Sequence, residues 1–256
     1  MSNFILHCGA VPQTYEQLQA MNSVHYEPQS PTHRPVAHHR VADMFKKSVA
    51  KNTNYSVVWE KYGVSGKKGT EMFGALGLRK DGNFEGDYEM FMGFRHSNSQ
   101  KFSLRGGIGD RFFICDNMSF LIEAEIPGTK HTKNISDTAQ LRIDELSRDI
   151  LQLDTNLHNR NNRYRDVKLS YAQADHLMME CVREGCLQKT KITAVDGEWR
   201  KPSFKYNTTG KSMLDLKHAF THVAKNSFYG DQIKRSQGMH KVFDKYCGIL
   251  DQVSAI

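Results

Sequence analysis

The sequence predicts an α+β fold: an antiparallel sheet of about five or six strands in the N-terminal half, covered by helices mainly from the C-terminal half. Three observations predict it. Between residues 54 and 127, short runs rich in Val and aromatic residues alternate with Gly- and Asp-containing turns. Those turns are too short for the crossover that parallel neighbours need. After Pro127 the apolar residues recur at helical steps instead. With 256 residues, 39 % of them hydrophobic, and 14 Phe, 10 Tyr and 2 Trp, the chain has material for a single core. The expected organisation is an irregular arm over 1–31, marked by Pro12, Pro28 and Pro31, then one α+β domain over 32–256, strand-rich over 54–127 and helix-rich over 134–252.

The elements follow in order. From His38 to Val49, the residues Val41, Met44, Phe45 and Val49 fall on one face of an amphipathic helix. Strands are expected at Tyr55 to Tyr62, Glu71 to Arg79, where Gly74 and Gly77 relieve crowding, and Tyr88 to Arg95. Further strands are expected at Phe102 to Ile108, Arg111 to Cys115 and Ser119 to Ile126, with bends at Gly106-Gly107 and Gly109-Asp110. Gly63 to Gly69 lacks the Gly-Lys-Ser/Thr ending of a phosphate loop and reads as a hairpin turn with two lysines. Ala139, Ile143, Leu146, Ile150, Leu153 and Leu157 then form a heptad seam. It fits a long helix packed on its own chain, or self-association through residues 139–157. Ser170 starts a helix over Tyr171 to Glu184, closed by Gly185, and Asp196-Gly197 suggests a short hairpin. Two last helices are expected at Leu214–Asn226 and Asp231–Leu250.

Composition excludes several classes. No apolar run approaches the roughly 18 residues that span a bilayer, and no Lys or Arg precedes Phe4-Ile5-Leu6 as a secretory signal requires. Five cysteines (8, 115, 181, 186, 247) make an odd count that points to reduced thiols. Cys181 and Cys186 have no second pair at zinc-site spacing, and His33, His38 and His39 have no acidic or thiol partner at ligand spacing, so no metal and no cofactor is expected. The net charge is +7, and Glu198 to Cys247 holds ten Lys/Arg against four Asp/Glu, a balance of +6. A polyanion is the partner such an excess suggests.

Several segments carry a resemblance. They are Pro35-Val36-Ala37-His38, Tyr62-Gly63-Val64-Ser65, Met72-Phe73-Gly74-Ala75-Leu76 and Gly93-Phe94-Arg95-His96-Ser97-Asn98. They continue with Gly107-Ile108-Gly109-Asp110-Arg111-Phe112-Phe113-Ile114-Cys115-Asp116-Asn117, Lys130-His131-Thr132, Trp199-Arg200-Lys201-Pro202 and His218-Ala219-Phe220-Thr221-His222-Val223-Ala224-Lys225. Together, over about residues 33–247, they resemble the phage/plasmid-like protein family, domain of unknown function 932. His218 stands where that family's pattern leads one to expect Asn. The resemblance implies a mobile-element origin and the cytoplasm of an infected bacterium, and it supplies no reaction and no catalytic residue.

Two constellations suit nucleic acid. The central block offers Arg95, His96, Asn98, Lys101, Arg105, Arg111, Lys130, His131 and Lys133, side chains that match phosphate or donate neutral hydrogen bonds. The C-terminal region interleaves aromatics with cations at Trp199, Arg200, Lys201, Lys205, Tyr206, Lys234 and Arg235, the composition of a single-strand track. The leading expectation is therefore a nucleic-acid-binding protein of a phage or plasmid, acting on single strands in replication or recombination without catalysis. The alternative is an interaction protein that inhibits a host defence or nucleic-acid-processing factor. A third reading, a magnesium-dependent nuclease, would draw on Asp110, Asp116, Glu123, Glu125 and His131 with Lys130, though their spacing fits no nuclease core. Cys115 with His131 would make a nucleophile and base, but Cys115 ends an apolar run suited to an inert thiol.

Overall fold

A computed structural model describes residues 10–21, 28, 30–80, 88–112, 117–125, 134–204, 211–224 and 229–248, with the backbone alone at 88, 111–112, 117–125 and 229–233. The strands are β1 (Val11–Gln13), β2 (Tyr55–Ser65), β3 (Glu71–Lys80), β4 (Tyr88–Ser97), β5 (Arg105–Phe112) and β6 (Asn117–Glu125). The helices are α1 (Tyr15–Ala20), α2 (His38–Asn52), α3 (Ile135–Arg148), α4 (Ile150–Asp166), α5 (Tyr171–Arg183), α6 (Ile192–Arg200), α7 (Met213–Ala224) and α8 (Tyr229–Tyr246). This is the α+β arrangement expected, with the sheet in the N-terminal half and most helices in the C-terminal half. The strands lie in chain order, β1 to β6, and β1 through β4 pair antiparallel. No helix among the described residues is long and apolar enough to cross a membrane.

The chain forms two compact units, one of residues 3–109 and 123–154, the other of residues 110–122 and 155–256. In the first, α2 lays Val41, Phe45 and Val49 on the sheet, and the Phe45 ring stacks on Phe94 at 4.2 Å. Gly74 and Gly77 do relieve crowding. A Cβ on Gly74 would enter the Phe94 ring, and one on Gly77 the Trp59 indole, whose Nε1 donates to Glu89 at 2.5 Å. Helix α3 packs on α2 through Asp144, whose carboxylate accepts from Ser48, Asn52 and Gln140 and pairs with Lys51. In the second unit, an antiparallel bridge between Lys168 and Ser212 joins the segments entering α5 and α7. Trp199, Tyr164, Lys217 and Phe243 are among its most buried side chains.

Four expectations are corrected. Residues 11–20 are not irregular: they pair as β1 with β2 and then form α1, whose Thr14 and Gln17 make a reciprocal capping box. Gly106-Gly107 and Gly109-Asp110 are not bends, because β5 runs straight through them as one strand. Asp196-Gly197 lies inside α6 rather than in a hairpin, since burying Val195 and Trp199 on one face of a helix outweighs the weak propensity of a single glycine. The heptad seam is not one helix, as Asp149 divides it between α3 and α4. All six seam residues are at most 7 % exposed within the chain, so the seam is already filled and offers no surface for self-association.

Candidate nucleic-acid interface

The residues predicted in the central block separate by role. His96 ends β4 fully buried, its Nε2 lying 2.6 Å from Nδ1 of His38, whose Nε2 lies 2.7 Å from the Gly69 carbonyl. A carbonyl only accepts, so His38 Nε2 carries the proton and, in the neutral pair, His96 Nε2 donates to His38 Nδ1. Asn98 is buried as well. It accepts from the Val36 N–H and donates to the Val36 carbonyl, both at 2.9 Å, while its own N–H donates to Thr70 at 2.8 Å. Two sequence motifs, Pro35 to His38 and Arg95 to Asn98, are thus the halves of one clamp that fixes the start of α2 to the end of β4. His96 and Asn98 are structural, which corrects their expected contact with nucleic acid. Buried polar groups need partners, and these two supply them.

Arg95 is half-buried, its guanidinium 4.9 Å from the centre of the Phe102 ring. Lys101 is exposed and pairs with buried Glu71 at 3.0 Å, and Arg105 is half-buried. Arg111 lies on β5 where the backbone alone is described, and Lys130, His131, Lys133, Lys205 and Tyr206 lie outside the described residues, as do Asp116 and Cys115. Asp110 is 1 % exposed and accepts from the Lys217 ammonium at 2.5 Å and from Asn161 Nδ2 at 3.1 Å. Both donors reach the same oxygen, Oδ2, and the carboxylate is closed off from solvent against an ammonium group, so it is no open magnesium ligand and the nuclease reading loses it. Among the described residues no group of three His, Cys, Asp or Glu could hold a metal ion.

The C-terminal candidates are more mixed. Trp199 is 1 % exposed, a core residue of α6, which corrects its expected role as a base-stacking platform. Its neighbour does the converse. Arg200 ends α6 exposed and lies over the ring of Tyr171, 4.5 Å from its centre, while pairing with Asp196 at 2.6 Å and Asp175 at 3.5 Å. Tyr171, the first residue of α5, is 53 % exposed and meets Trp199 edge-on at 5.5 Å. Lys211 donates to the carbonyls of Trp199 and Arg200, at 2.5 and 2.8 Å, and so satisfies the end of α6. Lys189 and Lys191 before α6 and Lys201 after it are exposed and make no ion pair among the described residues. Lys234 is exposed and Arg235 half-buried on α8.

Sequence reasoning missed Tyr171 because it looked like an ordinary first helical residue. The signal that could have found it is a Ser170 capping box with Gln173, which pins the helix start and hence which ring sits at its edge. It also missed the buried polar network of α4, α7 and α8. Besides Lys217, Asp110 and Asn161, this network holds Tyr164, which donates to Asp244 at 2.6 Å, and Arg160, which pairs with Asp244 at 3.1 Å. Burial pulls the Lys217 ammonium below its ordinary pKa against the opposing pull of Asp110, and pushes the His218 and His240 imidazoles well below theirs.

No family model, no curated protein and no solved structure matches the chain.

Proposed function

We propose that the protein binds single-stranded nucleic acid, without cutting it, through the surface built by the start of α5 and the two ends of α6. The observation that supports this is the half-exposed Tyr171 ring with the Arg200 guanidinium on its face, exposed Lys201 just after α6, and exposed Lys189 and Lys191 just before it. An aromatic ring with a guanidinium stacked on it and further cations nearby in the chain offers planes for unstacked bases and charges for their phosphates. The ion pairs of Arg200 are solvent-exposed and so exchange readily with a phosphate oxygen. The resemblance of the central block to the phage/plasmid-like family supports a setting in the replication or recombination of a mobile element.

The test is anisotropy of a labelled oligothymidylate at about 50 and 200 mM salt, with wild type, Tyr171→Ala and Lys201→Glu. Wild type is expected to bind in the low micromolar range at low salt and more weakly at high salt. Loss of one stacking platform should weaken binding by about 5-fold or more, given about 1–3 kcal/mol per base. Lack of binding at low salt, or a Tyr171→Ala protein that binds as wild type does, overturns the proposal.

A further inference from the structure

Helix α5 closes in a Schellman turn. Gly185 takes φ +73°, its N–H donates to Val182 at 3.1 Å, and the N–H of Cys186 donates to the Cys181 carbonyl at 2.9 Å. This motif places the side chain three residues before the helix's end against the one just beyond the turn. Here both are cysteines. They are 0 % and 5 % exposed and are free thiols, with Cys186 Sγ 3.2 Å from the Cys181 carbonyl oxygen.

The 2.9 Å hydrogen bond also bounds the backbone separation. With standard bond lengths, the two Cα atoms cannot lie more than about 6.8 Å apart. That is within the range of roughly 4.4–6.8 Å that disulfides span. A five-residue spacing is one step longer than the four that aligns side chains on a continuous helix, and it becomes the right one because the chain turns at Gly185. From this geometry we infer that Cys181 and Cys186 are a reversible dithiol–disulfide site, oxidised by hydrogen peroxide.

The two sulfurs are not equivalent. A hydrogen bond from the Cys181 S–H holds the Cys186 thiol below its ordinary pKa, against the effect of burial, while the same bond and burial push Cys181 up. Cys186 is also the more exposed of the two, 5 % against 0 %, so peroxide reaches it first and Cys181 is the resolving thiol. The Cys186 thiolate attacks one peroxide oxygen. The O–O bond breaks, the sulfur loses two electrons to become a sulfenic acid, and the leaving hydroxide takes up the proton that Cys186 gave up, forming the first water. Cys181 sulfur then displaces the sulfenic oxygen; its own proton and the departing hydroxyl form water. In sum, two thiols and one peroxide give one disulfide and two waters.

The bridge would be felt beyond α5. Gly238 of α8 packs so closely that a Cβ there would come within 2.6 Å of Cys186 Cβ, and Lys241 of α8 pairs with Glu184 at 2.9 Å. Drawing Cys186 Sγ from the Cys181 carbonyl toward Cys181 Sγ therefore takes place directly beneath the contact of α8 with the α5 turn.

The experiment treats the folded full-length protein with a small excess of hydrogen peroxide and measures intact mass, alkylatable thiols and tryptic peptides. The expected result is a loss of about 2 Da, with thiols falling from five to three. Peptides 169–183 and 184–189, which trypsin separates after Arg183, should appear joined. Dithiothreitol should restore both thiols. Cys186→Ser, folded by circular dichroism, should no longer form the joined peptides. Mapping of the wild type decides the matter even if that variant does not fold. Persistence of both thiols while other cysteines gain oxygen, or a bridge that involves Cys8, Cys115 or Cys247, overturns the inference.

Discussion

Lys217 is an ammonium group enclosed on α7, its side chain 2 % exposed, held by Asp110 at 2.5 Å and Asn161 at 2.8 Å. Removing one partner of such a pair leaves the other buried and uncompensated, whereas replacing both with apolar groups is often nearly neutral. Lys217→Met is therefore expected to lower unfolding free energy by about 3–5 kcal/mol, and Asp110→Leu with Lys217→Met to recover most of it. Urea denaturation of both variants checks this, and a Lys217→Met loss below about 1 kcal/mol would sink it. His218 and His240 give a second prediction. Burial holds both neutral in the fold, with the positive charge of Lys217 acting in the same direction, while in the unfolded chain they take up protons near the ordinary imidazole value of 6.5. As pH falls below that value the unfolded state binds protons that the folded state refuses. Stability is thus full above it and declines toward pH 5, by at most about 1.4 kcal/mol per pH unit for each imidazole. The carboxylate of Asp144, held below its ordinary value of 3.8 by Ser48, Gln140 and Lys51 despite burial, acts only at lower pH. Equal urea midpoints at pH 7.5 and 5 would contradict the assignment, and His240→Gln should flatten the decline.

At the scale of elements, periodicity and caps carried most of the information. The 38–49 stripe became α2, Ser170 with Gln173 fixed the start of α5, and Gly185 fixed its end, each through a rule that acts within one turn. Where the expectation failed, long-range packing decided. Gly106 to Asp110 reads as two turns in isolation but forms the middle of β5, and Asp196-Gly197 is drawn into α6 by the burial of Trp199. The seam through 139–157 shows the same. Its spacing was read correctly, but spacing cannot say whether a seam meets a second chain or its own. Because Leu153 is 4 % exposed within the chain, Leu153→Ala should cost about 2–5 kcal/mol in urea unfolding while leaving the sedimentation coefficient unchanged. A Leu153→Ala protein that sediments as a smaller species than wild type would show that the seam joins two chains.

For the whole molecule, a net charge of +7 describes the sum and not its placement. Lys101 answers Glu71, Lys217 answers Asp110, and Arg160 answers Asp244, so these cations are matched one for one and the net excess rests on others. Four exposed cations, Lys189, Lys191, Arg200 and Lys201, flank or belong to α6. If they meet one phosphate each, the slope of log K against log salt for a single strand is about −3 and no steeper. Composition, apolar periodicity and turn chemistry were enough to determine an α+β chain with its sheet first and its helices after, because those preferences are settled within a few residues. Which polar residues face water and which lock the core was decided only in three dimensions. Asn98 finds Val36 across 62 residues and Lys217 finds Asp110 across 107. The free energy of burying such groups depends on a partner that no local pattern names.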